Sequence, residues 1–320
     1  MTISEDDVRR VFEVLFSRSP ENDSVRQNSA QARDIDDLVH KVVFSPEFQK
    51  RFLSQLYTGM TDELVPLLTE RVVFLHIPKS GGTTLHRILG EWFGVENLHP
   101  ERHNGLYYYS AADLASRLVF SGHYDYYSTN LIPGPSKKIS FLRDPIERLI
   151  SLYNFHRAHK PEFLKRNNLK LPSLANEYLI DEYFARPEIR SHPAINNTMA
   201  RYFSDEPQIL FRWEGGHDGT QSDIEKLLDQ ALQNIEKFDF IGFMENYEES
   251  IVKLSRVLGR QAPSPIAKEQ VLDVLMDSNS GMRRIEIQRP NDRTLAGLEE
   301  LVAYDRLVYA KAEKLFRHQA

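Results

Sequence analysis

Three stretches of this chain carry residue types and spacings suited to chemistry on an anionic group. The first is Pro78-Lys79-Ser80-Gly81-Gly82-Thr83-Thr84, where two adjacent glycines make a tight turn, one lysine adds a full positive charge and two threonines follow. A helix that begins straight after such a turn aims free N–H groups past the glycines, which makes a ready seat for phosphate or sulfate. The second runs from Arg143-Asp144-Pro145 to Ser151. There a guanidinium at a structural corner can fork onto a phosphate. The third is Gly122-His123-Tyr124, lying between the other two. An imidazole titrating near neutrality suits the removal of a hydroxyl proton.

The surrounding residues say how these groups are positioned. The apolar run Arg71–Ile77 reads as a buried strand. Leu85, Ile88, Leu89, Trp92 and Phe93 then recur at helical spacing, so Lys79 falls in a strand–turn–helix unit. Lys138–Leu142 is a second strand leading into Arg143. Asp144 is a good N-cap, Pro145 suits the first helical position and Glu147 completes a capping-box pattern. On that helix Ile146, Leu149, Ile150 and Tyr153 form the buried stripe, leaving Arg148 and Ser151 off it. Leu118–Gly122 is a short strand ending at His123, which should therefore emerge at the C-terminal edge of the sheet, where α/β sites sit. Phe238–Phe243 is a further strand, followed by a helix from near Tyr247.

This alternation predicts an α/β domain with a central parallel sheet and helices on its faces. Long polar segments lie between the elements, notably His156–Asn196 and the loop Glu214–Gly219. One long helix is expected near the C-terminus from Leu298, Leu301, Val302, Leu307, Val308, Leu315 and Phe316. Residues 1–65 look like a separate helical accessory unit, with 66–320 as the main domain. Val8, Val11, Phe12, Leu15 and Phe16 share one helix face. Ile35, Leu38, Val39, Val42 and Val43 mark a second helix, and Ser45-Pro46-Glu47-Phe48 starts a third.

Composition narrows the chemistry. The chain has no cysteine, which excludes disulfides, thiolate nucleophiles and cysteine-ligated zinc. The other histidines are scattered without ligand spacing, so no metal is expected. A net charge of −6 argues against a general nucleic-acid binder. No apolar run approaches the roughly 20 residues that span a bilayer. Met1–Asp7 is acidic and lacks the basic-then-apolar layout of a signal peptide, so a cytoplasmic protein is expected.

The order of residues in the first stretch is informative. A P-loop nucleoside triphosphatase places its lysine after the last glycine, whereas Lys79 precedes both. His76-Ile77-Pro78-Lys79-Ser80-Gly81-Gly82-Thr83 instead resembles the 5′-phosphosulfate loop of sulfotransferases that use 3′-phosphoadenosine 5′-phosphosulfate (PAPS). Phe141–Tyr153 is similar to the 3′-phosphate motif of the same family. Gly122-His123-x-x-Tyr126 looks like the catalytic-histidine segment of its uronosyl 2-O-sulfotransferase branch. The resemblance spans roughly Val72–Arg317. It implies a P-loop-like three-layer sandwich, with Lys79, Ser80, Gly81, Gly82, Thr83, Thr84, Arg143 and Ser151 holding PAPS. It further implies His123 as the base and Lys79 as the charge-stabilising group.

Recognition of the acceptor is less sharply marked. Asn196–Phe203 is similar to a helix of the glycan-sulfotransferase branch, and Asn197 and Arg201, at i and i+4, share a face. Tyr107, Tyr108, Tyr109, Tyr124, Tyr126 and Tyr127 flank the site and suit sugar rings, though tyrosines pack equally well at domain edges. The basic run His156–Lys170 fits either an anionic sugar or a solvated helix face. A sugar hydroxyl is favoured by the resemblance, with a phenol, lipid or natural-product alcohol as alternatives. Two rival functions stand beside this reading: an ATP-dependent kinase of the P-loop class and a non-catalytic glycan-binding relative.

Overall fold

The computed structural model describes residues 3–16, 20, 32–43, 69–206, 224–266 and 281–318. The chain divides into two compact units, Met1–Pro66 and Leu67–Ala320. In the first, α1 (Glu5–Phe16) and α2 (Ile35–Val43) pack through Val8, Val11, Phe12, Leu38 and Val42, the apolar faces that periodicity marks. The expected helix from Ser45 and the loop Glu214–Gly219 lie outside the described residues.

The second unit is built on four parallel strands: β1 (Arg71–His76), β2 (Val119–Gly122), β3 (Ser136–Leu142) and β4 (Phe240–Phe243). Their order is β2-β1-β3-β4. The chain therefore leaves β1 for one side of the sheet and returns past it to the other. This creates a topological switch point between the C-terminal ends of β1 and β3, the place where open parallel sheets bind ligands. All six residues of β1 are buried. Val73 packs on one face with Leu106, Leu114, Phe120 and Tyr124, and Phe74 packs on the other with Leu85, Phe141 and Phe240. Burial on both faces is why these strands read as unbroken apolar runs.

The helices that matter for the site start at strand ends. They are α3 (Gly82–Phe93) after β1, α4 (Pro145–Arg157) after β3, and α7 (Tyr247–Val257) after β4. Between α4 and α7 lie α5 (Thr198–Phe203) and α6 (Ile224–Ile235). The single long C-terminal helix expected from periodicity is two helices, α8 (Asp292–Leu301) and α9 (Ala303–His318). The backbone at Val302 (φ −116°, ψ 15°) interrupts the helical path. No described helix is long and apolar enough to cross a membrane.

Candidate active site

The loop between β1 and α3 is shaped by two close approaches. Gly81 has φ +76°, and a Cβ there would lie 2.2 Å from Met244 Sδ beyond β4. Gly82 faces the His76 ring, whose Nε2 would be 2.1 Å from an added Cβ. Each glycine is thus required by a different neighbour. Lys79 also takes a left-handed conformation, φ 72°, which is uncommon for a residue with a side chain. No side chain caps α3 at Gly81. Ser80 is fully buried and its Oγ has no hydrogen-bond partner. A buried hydroxyl left unpaired beside an uncapped helix start is a costly arrangement for folding alone.

Arg143 stands one residue past β3, on the far side of the switch point. It lies 3.6 Å from Glu147, which also pairs with Arg289 at 2.7 Å. Asp144 caps α4 as its sequence predicts, accepting hydrogen bonds from the Ile146 and Glu147 amides at 3.0 Å each, and is held by Arg306. Glu147, Ser151 and Phe155 are spaced by four along one side of α4, and Arg143, just before the Asp144 cap, pairs with the first of them. The Lys79 Nζ sits over the Phe155 ring, 3.8 Å from its centroid, at the far end of that row. Burial pushes the Lys79 ammonium down to about 7, and the Arg143 charge adds to the shift. Ser151, partly buried, lies between Glu147 and Phe155 on that side of α4 and makes no hydrogen bond among the described residues.

His123 follows from the register. Leu75 pairs with Gly122, so the next residue on each strand, His76 and His123, is brought side by side. Their rings stack with centroids 4.3 Å apart, and His123 Nδ1 is 2.9 Å from the His76 carbonyl oxygen. A carbonyl only accepts, so Nδ1 carries the proton and the neutral ring keeps a bare lone pair on Nε2. Burial pushes the His123 pKa down to about 4, opposed by that carbonyl and reinforced by the charges of His103, Arg102 and Lys79. A neutral base therefore stands at the same sheet edge as the lysine.

A family model described as the sulfotransferase family matches residues 68–310, a span that holds all four strands, the glycine loop, Arg143 and His123. The chain belongs to the sulfotransferase family. Among curated proteins none matches the sequence. Sulfuryl transfer is accordingly the chemistry in which the site is to be understood.

Several residues singled out from sequence occupy other places in this sulfotransferase. Tyr124 is wholly buried and its hydroxyl donates to the Glu101 carbonyl, so it is a core side chain and presents no platform to a sugar. Asn197 is 5% exposed. Its Oδ1 accepts from the Tyr304 and Asp305 amides at 2.9 and 3.3 Å, capping the start of α9. Arg201 donates from Nε to the Asn196 carbonyl at 2.9 Å. Arg148, which lies off the apolar stripe, is buried too, bonded to Thr198 Oγ1 at 2.8 Å and drawn toward buried Asp305. In the basic run, Lys165, Arg166 and Lys170 are exposed on the surface. No group of three or more His, Asp or Glu is placed to hold a metal among the described residues.

Two residues of the site, Phe155 and Arg102, have no place in the sequence motifs, and a third, His76, lies in one that does not show its role. Phe155 carries the Lys79 ammonium, and its one signal is its position four residues beyond Ser151. His76 both stacks on His123 and fills the space that Gly82 leaves. Arg102 lies in a loop with no motif and meets His123 only through the fold.

Proposed function

We propose that this sulfotransferase moves the sulfuryl group of PAPS to an acceptor hydroxyl by in-line transfer, with His123 as base. The observation that carries the reading is His123 itself. Its Nδ1 is committed to the His76 carbonyl at 2.9 Å, which leaves Nε2 as the proton acceptor at the edge shared with Lys79.

The residues present fit the donor. Ser80 Oγ is an unpaired buried hydrogen-bonding group, α3 begins without a side-chain cap, and Lys79 has an aromatic ring as neighbour where a carboxylate would neutralise it. Ser80, Gly81, Gly82, Thr83 and Thr84 would hold the 5′-phosphosulfate end. Arg143 and Ser151 would hold the 3′-phosphate that separates PAPS from ATP. When bound, PAPS supplies an activated sulfuryl group on a phosphate leaving group.

His123 Nε2 takes the hydroxyl proton as the acceptor oxygen bonds to sulfur. Lys79 and the loop amides stabilise the charge that passes to the departing phosphate as the sulfur–oxygen bond to it breaks. Fixed donors of this kind supply the electrostatic stabilisation in place. A carbohydrate hydroxyl is the favoured acceptor, on the likeness of the Lys79, Arg143 and His123 stretches to glycan sulfotransferases. Incubation with ³⁵S-labelled PAPS and glycan extracts tests the reading. Label should appear on glycan with wild-type protein and be lost with His123→Gln. Label on no acceptor of any class would overturn it in favour of a non-catalytic relative.

A further inference from the structure

The strand order places the groups of the site in a row at the C-terminal edge of the sheet: Arg143 after β3, the Lys79 loop after β1, and His123 after β2. With the donor assigned to the first two, the acceptor approaches from the β2 side. That side is lined by the segment 98–107, which is pinned along its length. Leu98 bridges to Val119, and the Arg102 carbonyl accepts from the His123 amide at 2.8 Å. Asn104 Nδ2 donates to Asp125 at 2.8 Å, and the Tyr107 hydroxyl donates to the same carboxylate at 3.0 Å. Gly122 permits this contact, because a Cβ there would lie 2.8 Å from Arg102 Cα. Arg102 is therefore fixed beside the base.

Its side chain is not satisfied by the protein. Arg102 Nε is buried without a hydrogen-bond partner, and the guanidinium makes no ion pair among the described residues. The neighbouring Glu101 carboxylate turns to the His103 amide at 2.5 Å. The Arg102 charge acts instead on His76, His86 and His123, three imidazoles. Two other buried arginines of the domain are compensated by the protein. Arg148, whose Nε and Nη1 also lack hydrogen-bond partners, donates to Thr198 Oγ1 at 2.8 Å and has the buried Asp305 carboxylate to offset its charge, which Arg102 lacks. Buried Arg71 donates to the carbonyls of Arg117, Thr69 and Ala115 at 3.2, 3.2 and 2.8 Å. A cation set among basic groups, with a buried unpaired N–H, costs folding energy that an anionic ligand returns.

We infer that Arg102 is a specificity-determining residue that seats an acidic group of the acceptor, a carboxylate or sulfate ester close to the reacting hydroxyl. This rests on the reading of His123 as the base. Arginine suits the task because its planar fork matches both anions in bidentate geometry.

The test uses the full chain saturated with 3′-phosphoadenosine 5′-phosphate (PAP). Methyl glucuronide and methyl glucoside, which differ only at C6, a carboxylate in one and a hydroxymethyl group in the other, are titrated by NMR. Wild-type protein should bind the glucuronide about tenfold or more tightly than the glucoside, as a charge-assisted contact predicts. Arg102→Gln should bring the two within about twofold and Arg102→Lys should restore part of the preference, both with PAP affinity unchanged. Absence of preference in the wild type, or its survival in Arg102→Gln, overturns the inference. Loss of PAP affinity in Arg102→Gln would overturn it as well, by moving Arg102 to the donor. Failure of wild-type protein to bind PAP is a separate result that removes the donor reading.

Discussion

The His123 imidazole lies face to face with that of His76, 4.3 Å between centroids, and its Nδ1 is hydrogen-bonded to the His76 carbonyl. One neighbour thus fixes both ring orientation and tautomer. His76 is itself held by the missing Cβ of Gly82, which places the glycine loop and His123 in one packed unit. His123→Gln should lower turnover by about 10²–10⁴-fold while leaving PAP affinity intact. Steady-state rates beside calorimetric PAP titration separate the two effects, and turnover near wild type would remove His123 from the chemistry.

Lys79 provides a pH signature. Its ammonium is pushed down to about 7 in the free protein by burial and by Arg143. A bound phosphate favours the charged form and raises that pKa, so above pH 7 the complex holds a proton that free protein lacks. PAP affinity should be flat below about pH 7 and fall as pH rises through it, by up to about tenfold per unit. Calorimetry across pH 6–9 in buffers of different ionisation enthalpy should show proton uptake on the alkaline side. Lys79→Gln should abolish that uptake.

Asn197 tests a structural role against an acceptor role. Its Oδ1 receives two amides at the start of α9, and its backbone takes a left-handed φ of 49° that asparagine tolerates better than alanine. Asn197→Ala should cost about 1–2 kcal/mol through the lost cap, a drop of a few degrees in melting temperature. PAP affinity should be unchanged. An unaltered melting temperature would return Asn197 to the list of acceptor contacts.

Much of this arrangement is legible in the sequence because local signals and tertiary structure agree. Doubly buried strands give continuous apolar runs, so β1, β3 and β4 fall close to their expected positions, and the Asp144-Pro145 cap is a local device visible in six residues. What escapes is set by contacts between distant segments. Tyr124 and Asn197 have surface-compatible residue types, and only the packing of segment 98–107 and of α9 buries them. Arg148 falls off the apolar stripe of α4, yet α5 covers it through Thr198. Arg102 is one arginine in a loop, and its meaning comes entirely from the hydrogen bond that joins it to His123. Phe155 lies one turn beyond Ser151 on the same side of α4, a spacing the sequence itself displays.

In the proposed site the Lys79 loop and the Arg143–Ser151 segment hold the two ends of one nucleotide. The most direct test is calorimetric titration with PAP and with ADP, which lacks the 3′-phosphate, in the absence of magnesium. PAP should bind about 10–100-fold tighter than ADP, and Arg143→Gln should erase most of the difference. Equal binding of PAP and ADP, or tight binding of magnesium–ATP with none of PAP, would contradict that arrangement.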